Sequence, residues 1–158
     1  PGLTMGGDDL LREQLGRQLD GTQAHIRPRD VLDHFPLERI NRTVPGVPHT
    51  PWRLVEHLRL AQRDILDYVS EGDYLELTFP DGYWPAEGEA SETEWRSSVE
   101  RFLTDLDALR TIARDPNRAL MAPLPRNPEH TLLRELLIIG NHNSYHLGQL
   151  VVLQQAKV

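Results

Sequence analysis

Residues Thr131–Gln155, TLLRELLIIGNHNSYHLGQLVVLQQ, run for 25 positions without a proline. Leu136, Ile139, His142, His146, Leu150 and Leu153 recur every three or four positions, which is the period of a helix with one apolar face. Two of these six residues are histidines. Four positions apart on a helix, their side chains share a face at roughly 5–6 Å between Cβ atoms. A lone histidine on such a face is ordinarily a core residue with a satisfied hydrogen bond. A pair one turn apart on a buried stripe leaves two readings open, core histidines or metal chelation, and the second is the one with a mechanism for the pairing. Asn143 and Ser144 stand where a metalloprotease helix would place its general base, so this is not the HExxH pattern. A third ligand has to come from elsewhere in the chain.

The segments before it read as three more long helices and a short one. Gly7–Asp20 carries Leu10, Leu11, Leu15 and Leu19 at helical spacing behind an acidic start, Asp8 and Asp9. Gly21 loosens its end, and Pro28 opens a short helix over Arg29–His34. Thr50-Pro51 reads as an N-cap with proline in the first turn. The helix that follows, Trp52–Val69, has an apolar stripe of Leu54, Val55, Leu58, Ala61, Ile65 and Val69. Ser91 and Glu94 form a capping box for the next helix, which Asp115-Pro116 closes. No segment reads as a convincing strand. Four long amphipathic helices with long connections predict an all-α four-helix bundle. At 158 residues one domain is expected over 1–158, with residues 1–6 a disordered or appended lead-in and Met5 the native start.

His57 falls inside the stripe of the Trp52–Val69 helix, one turn after Leu54 and one before Ala61. It is the candidate third ligand. A site of His57, His142 and His146 keeps at least one position open, as catalytic metals do, and its nitrogens suit Zn, Ni, Cu or Fe. The other histidines carry less. His25 and His34 read as capping or surface residues, and His49 and His130 receive no role. Residues 70–90 form a long connection with unusual aromatic weight, Phe79, Tyr83 and Trp84. It reads as a packed loop covering one end of the core.

With no cysteine, disulfides, Cys-based zinc sites and a protein thiol nucleophile are excluded. A net charge of −7 disfavours nucleic acid as a partner. Neither a membrane span nor a signal peptide is visible, so a cytoplasmic protein is expected. The last helix is apolar on more than one side, with Leu137, Ile138, Val151 and Val152 beyond the stripe. A homodimer contact is the first explanation.

HTPWRLVEHL at 49–58, FPDGYWP at 79–85 and NHNSYHLGQL at 141–150 resemble the DinB/YfiT-like superfamily of bacterial metal-dependent enzymes. The likeness runs from about Leu10 to Gln154. It implies a bundle in up-down-down-up order, frequently dimeric, with a three-histidine centre at one end whose ligands fall at His57, His142 and His146. Glu56 and Tyr145, their neighbours in sequence, get no ligand role. Gln149 is a candidate partner behind the ligands, or a polar helix-packing group. The resemblance implies either a transferase that uses a low-molecular-weight thiol such as bacillithiol or mycothiol, or a hydrolase with a metal-bound hydroxide. A non-catalytic, metal-stabilised binding or dimerisation module is the third possibility. Zn or Ni is the expected ion, and a small molecule the expected substrate. A hydrolase needs a base near its water, and the nearest carboxylates on the ligand face, Asp64 and Glu135, lie seven residues from a ligand.

Overall fold

The helices begin where their caps are. The computed structural model describes residues 6–157, so the expectation of a start at Met5 lies outside the described residues. Helix α1 spans Gly7–Asp20 and ends on Gly21 in the left-handed region, φ 73°, a backbone state glycine enters without a Cβ penalty. The short α2, Pro28–Asp33, has its proline in the first turn. Helix α3, Pro51–Val69, is capped by the Thr50 side chain accepting from the Arg53 N–H. Helix α4, Glu92–Arg114, opens on the Ser91–Glu94 capping box with both of its hydrogen bonds present. Helix α5, Leu132–Gln155, is capped by Thr131.

Contacts between named residues give the direction of each helix. Arg12 on α1 reaches the carbonyls of Ala113 and Asp115 at the end of α4, so these two run antiparallel. Glu56 meets Ser98, Gln62 meets Phe102 and Arg63 meets Asp105, so α3 and α4 run parallel. Tyr68 lies against His130 and His57 against His142, which makes α3 and α5 antiparallel. The order is up-down-down-up. On α5, Gly140 lets α1 come close: a Cβ there would lie 2.2 Å from the Gln18 side chain.

Trp95, Phe102, Leu54, Leu58, Leu109, Leu136, Ile139 and Leu150 fill the centre, all nearly inaccessible to solvent. One polar strut crosses it. Gln62, fully buried, donates to the Phe102 carbonyl at 2.6 Å and accepts from Asn143 Nδ2 at 2.7 Å. It links α3, α4 and α5 beside His142, with both ends of the Gln62 amide paired as burial demands.

The expectation of no strand is corrected. Pro123–Leu124 (β1) pairs antiparallel with Asn127–Thr131 (β2). Four prolines in residues 116–130 hid this hairpin, because proline weighs against a strand, and the pair here is only a short edge ribbon. Among the described residues no helix is long and apolar enough to cross a membrane.

Arg12 holds the closing end of α4. Its guanidinium is buried and donates to the carbonyls of Ala113, Asp115 and Arg118 and to Asp8. Replacing it by methionine keeps the volume and strands those acceptors. Arg12→Met is expected to destabilise the fold by about 2 kcal/mol, read as a lower urea midpoint with an unchanged slope.

Candidate metal centre

Antiparallel packing of α3 on α5 puts His57 opposite the pair His142 and His146. One nitrogen from each ring lies within 4.8 Å of the other two. The ring centroids are 4.6–4.8 Å apart and the rings stand edge to face. His57 and His146 are buried, each 8% exposed. The stripe expected from spacing alone therefore does bring these three residues together.

The second nitrogen of two rings is held. His57 Nδ1–H donates to the carbonyl oxygen of Tyr83 at 2.6 Å, and His146 Nδ1–H donates to Gln149 Oε1 at 2.6 Å. Each bond places the proton on Nδ1 and leaves the Nε2 lone pair pointing into the cluster. His142 Nε2 lies 3.0 Å from His57 Nε2, and its Nδ1 is buried without a partner. Protons alone do not satisfy this arrangement. With the proton on His142 Nδ1, two lone pairs face each other at 3.0 Å. With the proton on Nε2, a buried acceptor is orphaned. A cation among the three nitrogens removes the lone-pair conflict, so the donor set fits a divalent metal.

The electrostatics agree. Burial pulls His142 down to about 4, with help from the neighbouring His146 and His57 and against the pull of the adjacent Asn143 amide. Burial also lowers His57 and His146 from the ordinary imidazole value, opposed by their hydrogen bonds to Tyr83 and Gln149 respectively. Neutral rings are the form that binds metals.

The Tyr83–Trp84 loop does more than cover the core. The Trp84 ring stacks on His57 with centroids 3.8 Å apart and planes 2° from parallel. His49 stacks on the same indole at 4.2 Å and 25°. Two rings that near one centroid and that near parallel must lie on opposite faces, so Trp84 is sandwiched between them. His49, which received no role from the sequence, packs behind the indole that covers His57. The loop is pinned from below by Asp64, whose two oxygens accept from the hydroxyls of Tyr74 at 2.8 Å and Tyr83 at 2.9 Å.

The remaining expected residues divide. Gln149 is the partner behind His146. Asp64 has both oxygens occupied, and Glu135 is paired with Arg134 and lies 3.5 Å from His130. Glu56, given no ligand role, is partly buried and accepts from Ser98 Oγ at 2.7 Å. His25 is exposed and meets Ser144 at 2.9 Å, and His34 is exposed at the end of α2. Tyr83 entered the site through its main-chain carbonyl, which no side-chain pattern can announce. For Trp84, the aromatic density of 79–85 was the available signal.

Residues 14–150 match the family model described as the DinB superfamily. The chain belongs to the DinB superfamily. The matched span contains all three clustered histidines, Gln149 and Trp84, so the DinB region and the candidate centre coincide. Neither the curated proteins nor the solved structures contain a match to the chain. A DinB bundle with three converging imidazoles is compatible with a metal-binding enzyme.

Burial and the hydrogen bond to Asp64 raise the Tyr83 hydroxyl to about 12, above the ordinary 10.0. A raised folded-state value means that the loop's anchor is intact below pH 10 and is lost as pH climbs toward about 12. Ultraviolet titration of the folded protein at the tyrosinate band is expected to show this late ionisation. In Asp64→Ala the Tyr83 midpoint is expected to fall back toward 10.0.

Proposed function

We propose that His57, His142 and His146 bind a divalent metal, zinc or nickel, and that the protein is a metal-dependent enzyme. The reaction we infer is transfer of a low-molecular-weight thiol to an electrophilic small molecule in the cytoplasm. The observation that carries the reading is the convergence of three neutral imidazoles from two helices, two with their outer nitrogen engaged. A divalent cation in such a site lowers the pKa of a thiol or a water in its open position, giving a nucleophile near neutral pH. The chain's own residues orient and shield: Gln149 and the Tyr83 carbonyl aim two rings, and Trp84 keeps water from one face of His57.

The two carboxylates on the ligand face supply no base for a water nucleophile. A water nucleophile needs a base within reach, and neither Asp64, held by two phenols, nor Glu135, held by Arg134, is free to serve. A thiol that has lost its proton to bulk solvent needs none. The absence of cysteine is consistent with a thiol supplied from outside.

We also propose that α5 seats a second copy of the chain. Ile138, Tyr145 and Val152 are 40%, 67% and 66% exposed. With Asn141 and Gly148 between them they form a three-four seam, the spacing with which one helix packs on another.

Untagged protein is expected to hold close to one zinc or nickel per chain by elemental analysis. His57→Ala, His142→Ala and His146→Ala should each abolish it, and Gln149→Leu should weaken it about tenfold or more. Turnover should appear in a thiol-conjugation screen and vanish in all three histidine variants. Ester or amide hydrolysis without thiol would move the assignment to a hydrolase. Metal bound with every position filled by protein would make the centre structural. For the oligomer, sedimentation should give a dimer for the native chain and a monomer for Tyr145→Glu/Val152→Glu.

A further inference from the structure

Next to the three imidazoles lies a group that metal binding does not use. Arg53 sits one turn before His57 on α3, its guanidinium 5.8 Å from the centre of the Trp84 ring. Its side chain is 16% exposed. Its Nη1 donates to the carboxylate of Glu87, whose own side chain is 90% exposed. Such a partner competes with water at every moment and contributes little. The Arg53 Nε is buried and has no partner at all. His49, stacked on the other side of Trp84 from His57, also buries its Nδ1 without a partner. Two orphaned nitrogens therefore lie near the tryptophan that stacks on His57.

A buried polar atom left unpaired is an exception that calls for an account. The donor edge itself suggests one. With Nη1 engaged, the guanidinium still offers Nε–H and Nη2–H side by side, the fork that fits a planar carboxylate with two parallel hydrogen bonds. Glu87 shows that a carboxylate can reach this guanidinium. Burial and the nearby Arg53 charge keep His49 below the ordinary imidazole value, so its ring supplies a neutral donor instead of a second full charge. One arginine with one neutral imidazole balances a single negative charge.

We propose that Arg53 and His49 form a carboxylate subsite at the edge of the metal centre, and that the small-molecule substrate carries a carboxylate. That this anion belongs to a substrate rests on the metal-enzyme reading above; that the pocket binds a carboxylate does not. Glu87 is the resident placeholder, displaced when the ligand enters. Trp84 then separates two functions: its one face supports His57 in the centre, and its other face supports His49 in the anion site.

The test uses succinate as the probe and follows arginine Nε–H signals by nitrogen NMR, at fixed ionic strength, in metal-free and zinc-loaded protein. In both forms one arginine signal, the one missing from Arg53→Lys, should shift saturably. Arg53→Lys should weaken succinate about tenfold or more, because lysine lacks the fork, while its melting temperature confirms that it is folded. Glu87→Gln, an exposed change that does not threaten the fold, should tighten binding by removing the competitor. Inorganic phosphate should bind more weakly than succinate. No saturable shift in the metal-free protein overturns the proposal, as does equal affinity in Arg53→Lys, no gain in Glu87→Gln, or tighter binding of phosphate. Zinc uptake without succinate binding defeats the subsite alone. Succinate binding without zinc uptake defeats the metal reading and leaves an anion site.

Discussion

The bond from His57 Nδ1–H to the Tyr83 carbonyl is the contact on which the rest of the site depends. It sets the tautomer of the ring, so that the Nε2 lone pair faces the other two imidazoles. It also fastens the connection between α3 and α4, residues 70–91, to the bundle beside the three imidazoles. Asp64 reinforces it from two turns along the same helix by taking both Tyr74 and Tyr83 hydroxyls. With the loop so anchored, Trp84 lies flat on His57 and excludes solvent from its face. One hydrogen bond thus couples loop, imidazole and helix.

Beneath that contact, the bundle supplies stiffness. The strut from Asn143 through Gln62 to the Phe102 carbonyl crosses an otherwise apolar interior next to His142. Breaking either hydrogen bond of the buried Gln62 amide would leave it unpaired at a cost, so the strut opposes sliding of α3 against α5. Register between those two helices is what sets the spacing of the three rings. Stability and site geometry are therefore governed by the same contacts. The family match over residues 14–150 describes the scaffold on which this is built.

Much of this was legible from residue order. Helix starts at Thr50, Ser91 and Thr131 follow from capping chemistry that acts over three residues, and local rules suffice for them. The histidine pair on α5 follows from a period of 3.6. The hairpin at 123–131 escaped because its pairing lies between segments too short and too rich in proline to carry a strand pattern. Glu56 escaped differently. A charged residue off the apolar stripe reads as solvent-facing, yet α4 happens to lie parallel beside α3 and offers it Ser98.

By itself, the sequence determined that the chain is helical, where each long helix begins, and that three histidines sit on inward stripes of two of them. These are short-range facts, written in caps and periodicity. Only the tertiary structure decided that the two stripes meet at one height. It also decided that a main-chain carbonyl accepts from His57, and that Trp84 lies between His57 and His49. Those outcomes depend on register between helices 85 residues apart in sequence and on the path of one loop, and no local pattern encodes either.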